Sequence, residues 1–492
     1  MNDVQRPWLS RHLWWMILLV FAVAYLLQVL GNHYHFRTFG CDLGIFNHAL
    51  YSYAHFQTDV HPLKYYTYSN FLADHFSLYM MLFSPLYWVG GTQILLILQV
   101  ASVLFGVLGV RAYVRHKTDR PWLPEICMLH FLTFFGIYSA LAFDYHDNVV
   151  ASMFIPWLLL YVDQRKWLWA SICLGMILIS KENLALWMIA VCIVMAILYR
   201  NDKAARNRLL WMSGVSTVYT VVVMKVIMPS YETFPADLGY YHFYYKSLGA
   251  TPGEVVKTLL TYPITTIKLF FVNHMGNPVM DGVKPQFYIS VLLGGGWVLF
   301  YRPIYLLMIL PILGMKMWSD VESHWSIEGH YSTEFLPFIS VCLALMLMNM
   351  RNHRIANALG VLMAVVSMWG TIYIFSNRAY PYYNEACHNI FMKEHYTCEY
   401  DHELMERAFA LIPDDAALCA KNALVPHVSF REKLYLFPYI KDADYILTTI
   451  YSGPYPLTTE EEQKVLDDYV ASPEWETLLN EGGVYVFRKN QQ

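Results

Sequence analysis

Charge is scarce in this chain. Only 15% of its 492 residues are Asp, Glu, Lys or Arg, against about 25% in soluble domains. With 57% hydrophobic residues, the shortage points to lipid contact rather than to one very large core. Neither sign dominates: 34 Lys and Arg face 38 Asp and Glu, a net charge of -4. No global basic field exists to hold nucleic acid, so nucleic acid is excluded as a partner. Cysteine is sparse too, with eight residues, no C-x-x-C and no disulfide framework. Cys127, Cys173, Cys192 and Cys342 lie in apolar runs and read as small core residues. Cys387 and Cys398 lie in a polar segment, where a disulfide and two free thiols are both open readings. H-E-x-x-H, P-loop and G-x-S-x-G patterns are missing, which leaves nucleotide binding of the soluble type without support. No internal repeat, low-complexity segment or pair of matching broken helices is visible, so an inverted-repeat transporter is not indicated.

What the chain does have is length in its apolar runs. Its 15 Trp and 38 Tyr suit long membrane–water boundaries, where amphipathic rings settle. Arg6 and Arg11 precede a run of apolar residues without a small-residue cleavage site, so an uncleaved first helix is expected. Eleven runs are candidate crossings: 12–30, 92–114, 122–142, 149–164, 167–181, 183–200, 208–228, 286–301, 303–318, 335–350 and 356–377. Reading 74–91 as an interfacial helix, not a crossing, puts every basic cluster (111–120, 165–166, 200–208, Arg302, 351–354) on the cytoplasmic side. The N-terminus is then inside and the C-terminus outside. Outer segments are long, 31–91 above all, and 254–274 reads as a second helix lying on the outer leaflet.

The expected fold is mainly α: a polytopic helical bundle over 1–377, with interfacial helices, followed by an extracytoplasmic α/β domain over 378–492. That domain alternates short apolar runs, "AALCAKN", "KLYLFP", "DYILTTI" and "GGVYVFRK", with one polar helix opening on "TTEEE". Thr capping and Glu facing the dipole make that start a good one.

Four polar clusters stand near membrane depth, where an unpaired charge costs several kcal/mol. Asp42 in "GCDLGIFNHAL" reads either as the N-cap of the following helix or as a working carboxylate. "FDYHDN" places Asp144 and His146 in a short turn, as loop polarity, as two ligands, or as an acid–base pair. Lys181 and Glu182 in "ISKENLAL" form either a solvated turn or a phosphate-neutralising pair. "SHWSIEGHYSTEFLPF" contributes His324, Glu328, His330, Tyr331 and Glu334, and "LADHFS" adds Asp74 and His75, with Asp74 also suiting a cap.

Taken together, "DLGIFNHAL", "LADHFSLYMMLFSPLYW", "AFDYH", "SKENLAL", "EGHYSTEFLPF" and "NALVPHVSFREKLYLFP" resemble the bacterial membrane family called domain of unknown function 2079. That family is similar to the GT-C superfamily of integral membrane glycosyltransferases. The resemblance implies a bacterial inner-membrane location, a polyprenyl-phosphate-linked sugar donor, membrane lipid contact and an extracytoplasmic glycan, lipid or protein acceptor. It implies Asp42 as the first-loop acid; Asp144 and His146 are expected to orient the acceptor or to support Asp42. Lys181 stands where many relatives keep a basic residue near the donor phosphate; from their polarity in this sequence, Glu182, His75, His330 and Tyr331 are further candidate donor-site residues. A divalent cation, Mg or Mn, would take Asp42, Asp144 and His146. Cys41, Asn183 and the Asp147-Asn148 pair depart from the family pattern, and the last two weaken the metal reading. A non-enzymatic lipid carrier or flippase, or a cell-envelope assembly factor, is the rival expectation.

Overall fold

A computed structural model describes residues 8–63, 69–231, 242–381, 388–454 and 456–490, the side chains of 8–11 excepted. It divides into two compact units. One comprises Met1–Leu27, Leu98–Ser230 and Pro235–Glu385; the other comprises Gln28–Ile97, Tyr231–Phe234 and Ala386–Gln492.

The first unit is helical. Among the described residues, four helices are long and apolar enough to cross a bilayer: His12–Tyr34, Ile94–Lys117, Lys203–Tyr231 and His353–Ser376. The bent pair Leu123–Leu132 and Phe135–Ala142 makes a fifth if counted as one span. Leu19, Val20, Val23 and Leu27 are each at least half exposed on the first of these helices, a stripe that water would penalise and lipid would not. Shorter apolar helices, Trp167–Leu178, Glu182–Leu198, Pro303–Met317 and Thr333–Asn349, pack among them. Glu182–Leu198 lies along Lys203–Val222 and Pro303–Met317, and Leu123–Leu132 lies along His353–Ser376. Trp187 is fully buried; its indole donates to the Met308 carbonyl at 2.6 Å.

Three of the expected crossings are broken. Residues 149–164 form Asp147–Ser152 and Ile155–Asp163, because Pro156 in the first turn of the second has no N–H to continue the first. Residues 286–301 form Val283–Leu293 and a 3-10 turn, Gly296–Tyr301, with Gly295 at φ +88° between them. Residues 122–142 bend by 44° at Thr133–Phe134. There the freed Thr133 carbonyl accepts from the hydroxyls of Ser367 at 3.1 Å and Thr371 at 2.9 Å. Side-chain hydroxyls thus replace the hydrogen bonds that the bend removes. On the turn joining other helices, Arg120 donates to the Leu347, Met348 and Met350 carbonyls at 2.8–2.9 Å, a cation placed at a helix C-terminus.

The two expected interfacial helices are also divided. The segment 254–274 becomes Pro252–Thr261 and Pro263–Lys268, broken where Pro263 interrupts the backbone. Leu260 and Ile264 are largely exposed there. Within 74–91 the helix begins only at Tyr79 and tightens to a 3-10 turn at Ser84–Trp88.

In the second unit, two short strands, β1 (Val60–His61) and β2 (Ser69–Asn70), pair antiparallel. The tail forms a five-stranded sheet from β3 (Leu418–Ala420), β4 (Leu434–Leu436), β5 (Tyr445–Thr449), β6 (Trp475–Glu481) and β7 (Val484–Lys489). Its order is β4-β3-β5-β7-β6. β3 runs parallel to β4 and β5, while β7 is antiparallel to β5 and β6. Gly482 and Gly483, both at positive φ, form the two-residue link that turns β6 into β7. Cys419, Tyr435, Ile446, Leu466, Trp475 and Phe487 fill the core beneath. The helix Thr459–Ala471 opens with the expected capping box, Thr458 and Glu461 exchanging hydrogen bonds with each other's backbone. β6 and the helix His402–Ala410 were not expected: "WETLLNE" lacks the alternation that marks a strand.

Candidate functional site

The turn after Ala142 is held from both sides by one amide. Gln99, fully buried on Ile94–Lys117, donates to the Asp144 carbonyl at 3.2 Å and accepts from the His146 N–H at 2.8 Å. Asp144 is fully buried and His146 nearly so. His146 is the extended residue before the helix Asp147–Ser152. Asp147 sits in the first turn, where a carboxylate suits the dipole, and accepts from the Tyr145 hydroxyl at 2.7 Å.

The loop 319–334 meets this turn. The His330 ring stacks on His146 at 3.6 Å between centroids and 23° between planes. Tyr331 lies 4.0 Å from His330 and 4.7 Å from His324. Gly329 at φ +63° turns the chain there. Asn148 ties the two segments together, donating to Glu334 Oε1 at 2.6 Å and to the His330 carbonyl at 3.1 Å. The Ser139 hydroxyl donates to the Ile327 carbonyl.

Cations approach the same loop. Lys316, buried near the end of Pro303–Met317, donates to the Ser326 carbonyl at 2.7 Å. Its amine lies 4.8 Å over the Phe287 ring and 5.7 Å over Tyr331. Lys181, extended and half-buried ahead of Glu182–Leu198, acts electrostatically on both His324 and Glu334, as Lys316 does. Burial, reinforced by the charges of Lys316, Lys181 and His242, pushes the His324 imidazole down to about 3. Its Nδ1 meets the Ser319 hydroxyl at 2.8 Å. Arg378 pairs with Glu328 at 2.5 Å; burial raises that carboxyl, and the guanidinium opposes the rise. Glu328 Oε1 and Glu334 Oε2 are buried with no hydrogen-bond partner among the described residues.

The structure therefore brings Asp144, His146, His330 and Tyr331 together, with Lys181 in electrostatic range of the loop. Glu182 is fully buried at the start of its helix and acts on Tyr219. Asp42 and His75 belong to the other unit. Asp42 is not a helix cap. It lies inside a π-helical turn, Gly40–Gly44, whose N-cap is Phe39 and which runs straight into the helix Ile45–Ala54. The tail fixes this turn: Gly40 N–H donates to the Asn422 carbonyl at 2.8 Å, and Cys41 N–H to Asn422 Oδ1 at 3.2 Å. A Cβ on Gly44 would stand 2.7 Å from Val425, so only glycine admits the approach. Asp74 is no cap either; Asn70 caps that turn by accepting from Leu72 N–H, and His75 ends it. The expected cation ligands do not share a unit: Asp42 is in one, Asp144 and His146 in the other. Cys387 lies outside the described residues, and with it the question of its pairing with Cys398.

Lys316 and Gln99 were missed in the sequence. Each is a lone polar residue within an apolar run, and that isolation was the available signal.

The family described as Predicted membrane protein (DUF2079) matches residues 32–485. The chain belongs to this family. DUF2079 membership and the apolar helices agree that the protein is embedded in a membrane. No curated protein matches it.

Proposed function

We propose that this DUF2079 chain is a membrane glycosyltransferase that moves a sugar from a polyprenyl-phosphate donor to an extracytoplasmic acceptor. The observation that carries the reading is the approach of Lys316 to the loop 319–334, at 2.7 Å from the Ser326 carbonyl and 5.7 Å over the Tyr331 ring, with Lys181 in electrostatic range of His324 and Glu334. Amines gathered beside a polar loop attract an anionic ligand, and a lipid phosphate brings one to the membrane boundary. The proposed topology has eleven crossings, broken ones included, with the N-terminus inside and the tail outside an inner membrane.

In the proposed reaction an acceptor hydroxyl attacks the anomeric carbon. The bond from that carbon to the phosphate oxygen breaks, its electron pair stays on the phosphate, and Asp42 takes the hydroxyl proton. Lys181 and Lys316 stabilise the charge that develops on the leaving phosphate. Asp144 and His146, braced by Gln99 and stacked on His330, orient the acceptor.

Purified chain incubated with labelled polyprenyl-phosphate sugar and a cell-envelope extract tests this. Free lipid phosphate should appear together with labelled acceptor. Asp42→Asn should fold, by tryptophan fluorescence, and lose about 100-fold or more in rate. Full transfer by that variant removes Asp42 as the base. Leaflet exchange without bond cleavage replaces the transferase with a carrier.

A further inference from the structure

The second unit holds a cluster that the proposed reaction does not use. His35, Cys398 and His402 each offer a ligand atom, and the three atoms lie within 4.8 Å of one another. His35 Nδ1 and His402 Nε2 are buried with no hydrogen-bond partner among the described residues. Two orphaned imidazole nitrogens beside a thiol call for an explanation, and ring packing does not supply one, because it leaves the lone pairs unused.

The three ligands are positioned before any ion arrives. His35 ends the helix Trp8–Tyr34 in a Schellman motif, with Phe36 N–H on the His33 carbonyl at 2.9 Å and Arg37 N–H on the Asn32 carbonyl at 2.8 Å. Phe36 takes the left-handed conformation that this motif needs, φ 58°. Arg37 then clamps the segment before Cys398, donating to the Glu394 carbonyl at 2.7 Å, the His395 carbonyl at 3.0 Å and the Thr397 carbonyl. The Cys398 thiol rests 4.0 Å from the His35 carbonyl. His402 opens the helix His402–Ala410, which Asp401 caps, and its ring is stacked by Tyr34 at 4.0 Å and 11°.

The C-terminal end of Trp8–Tyr34 favours positive charge, and a bound ion would displace the proton of the Cys398 thiol. Two nitrogens and one sulfur suit a borderline divalent ion, Zn2+ above all, whereas Mg2+ prefers oxygen. Zinc distances of about 2.0–2.3 Å would set the ligand atoms about 3.5 Å apart, so the side chains must close by about 1 Å.

We propose that His35, Cys398 and His402 bind one Zn2+-class ion that staples the corner at residues 34–37 to the segment 394–402, leaving a fourth position to water. The full chain, stripped with EDTA and titrated with Co2+, tests this. A thiolate-to-cobalt charge-transfer band in the near ultraviolet should rise and saturate at one ion per chain. Cys398→Ser should abolish it, His402→Gln should weaken binding at least tenfold, and Cys41→Ser should leave it intact. Bound Zn2+ should also slow alkylation of Cys398 in the unaltered chain, a readout that needs no variant to fold. No band and no protection, or a band that survives Cys398→Ser, overturns the site.

Discussion

His324 stays neutral far below the pH at which a free imidazole ionises. Burial and two lysines press it down to about 3, whereas the unfolded side chain titrates near 6.5. Between these values the unfolded chain binds a proton that the folded chain refuses, so stability rises with pH across the window. From pH 7 to pH 5 this one residue should cost about 2 kcal/mol of stability. His324→Gln, which keeps a group able to reach the Ser319 hydroxyl, should flatten the slope of the unfolding midpoint over that range. An unchanged slope would mean that the imidazole is solvated. At this scale polarity among apolar runs singled out His330, Tyr331, Asp144 and His146 in the sequence, and the fold sets them beside one another. The sequence was silent on Lys316 doing the work of a loop anchor, because a hydrogen bond to the Ser326 carbonyl depends on where helix and loop meet.

Breaks in helices decide which polar groups face each other. Gly295 is the sharpest case. Its φ of +88° is left-handed, and an added Cβ would stand 2.8 Å from His130 Nε2 and 2.9 Å from Met363 Cε. Gly295→Ala should therefore lower stability by about 1–2 kcal/mol from the backbone alone, before the clash is counted. Gly175→Ala, with nothing within 4 Å, should be neutral or slightly stabilising. Thermal unfolding in detergent separates the two, and equal midpoints would refute the strain. The breaks at Pro156 and Gly294–Gly296 fall on residues that favour them, although apolar length alone reads each run as one crossing. The bend at Thr133–Phe134 does not fall on such residues, since neither breaks a helix; hydroxyls from His353–Ser376 make it affordable.

For the whole molecule, the proposed orientation sets acids and imidazoles on one side of the bilayer and cations on the other. Asp42→Cys and Arg165→Cys, each in a chain whose native thiols are replaced by serine, read it directly in intact cells. A membrane-impermeant maleimide should label position 42 and spare position 165. Labelling of 165 without 42 would reverse the topology and, with it, the side on which the transfer is proposed. Arg165 pairs with Asp202 at 2.8 Å across a turn rich in cations, which is what the positive-inside bias places in the cytoplasm.

Membrane residence, the α/β tail, the capped helix at Thr458 and the polar clusters followed from the sequence alone. Apolar length, alternation and capping are local properties, written within a few turns of chain. The tertiary structure decided which clusters meet. Asn148 reaches the His330 carbonyl across 182 residues, and Cys41 reaches Asn422 across 381. It also moved Asp42 from a cap into a π-helical turn and gathered His35, Cys398 and His402. Such pairings depend on the path of the backbone between distant segments, which no single stretch of residues encodes.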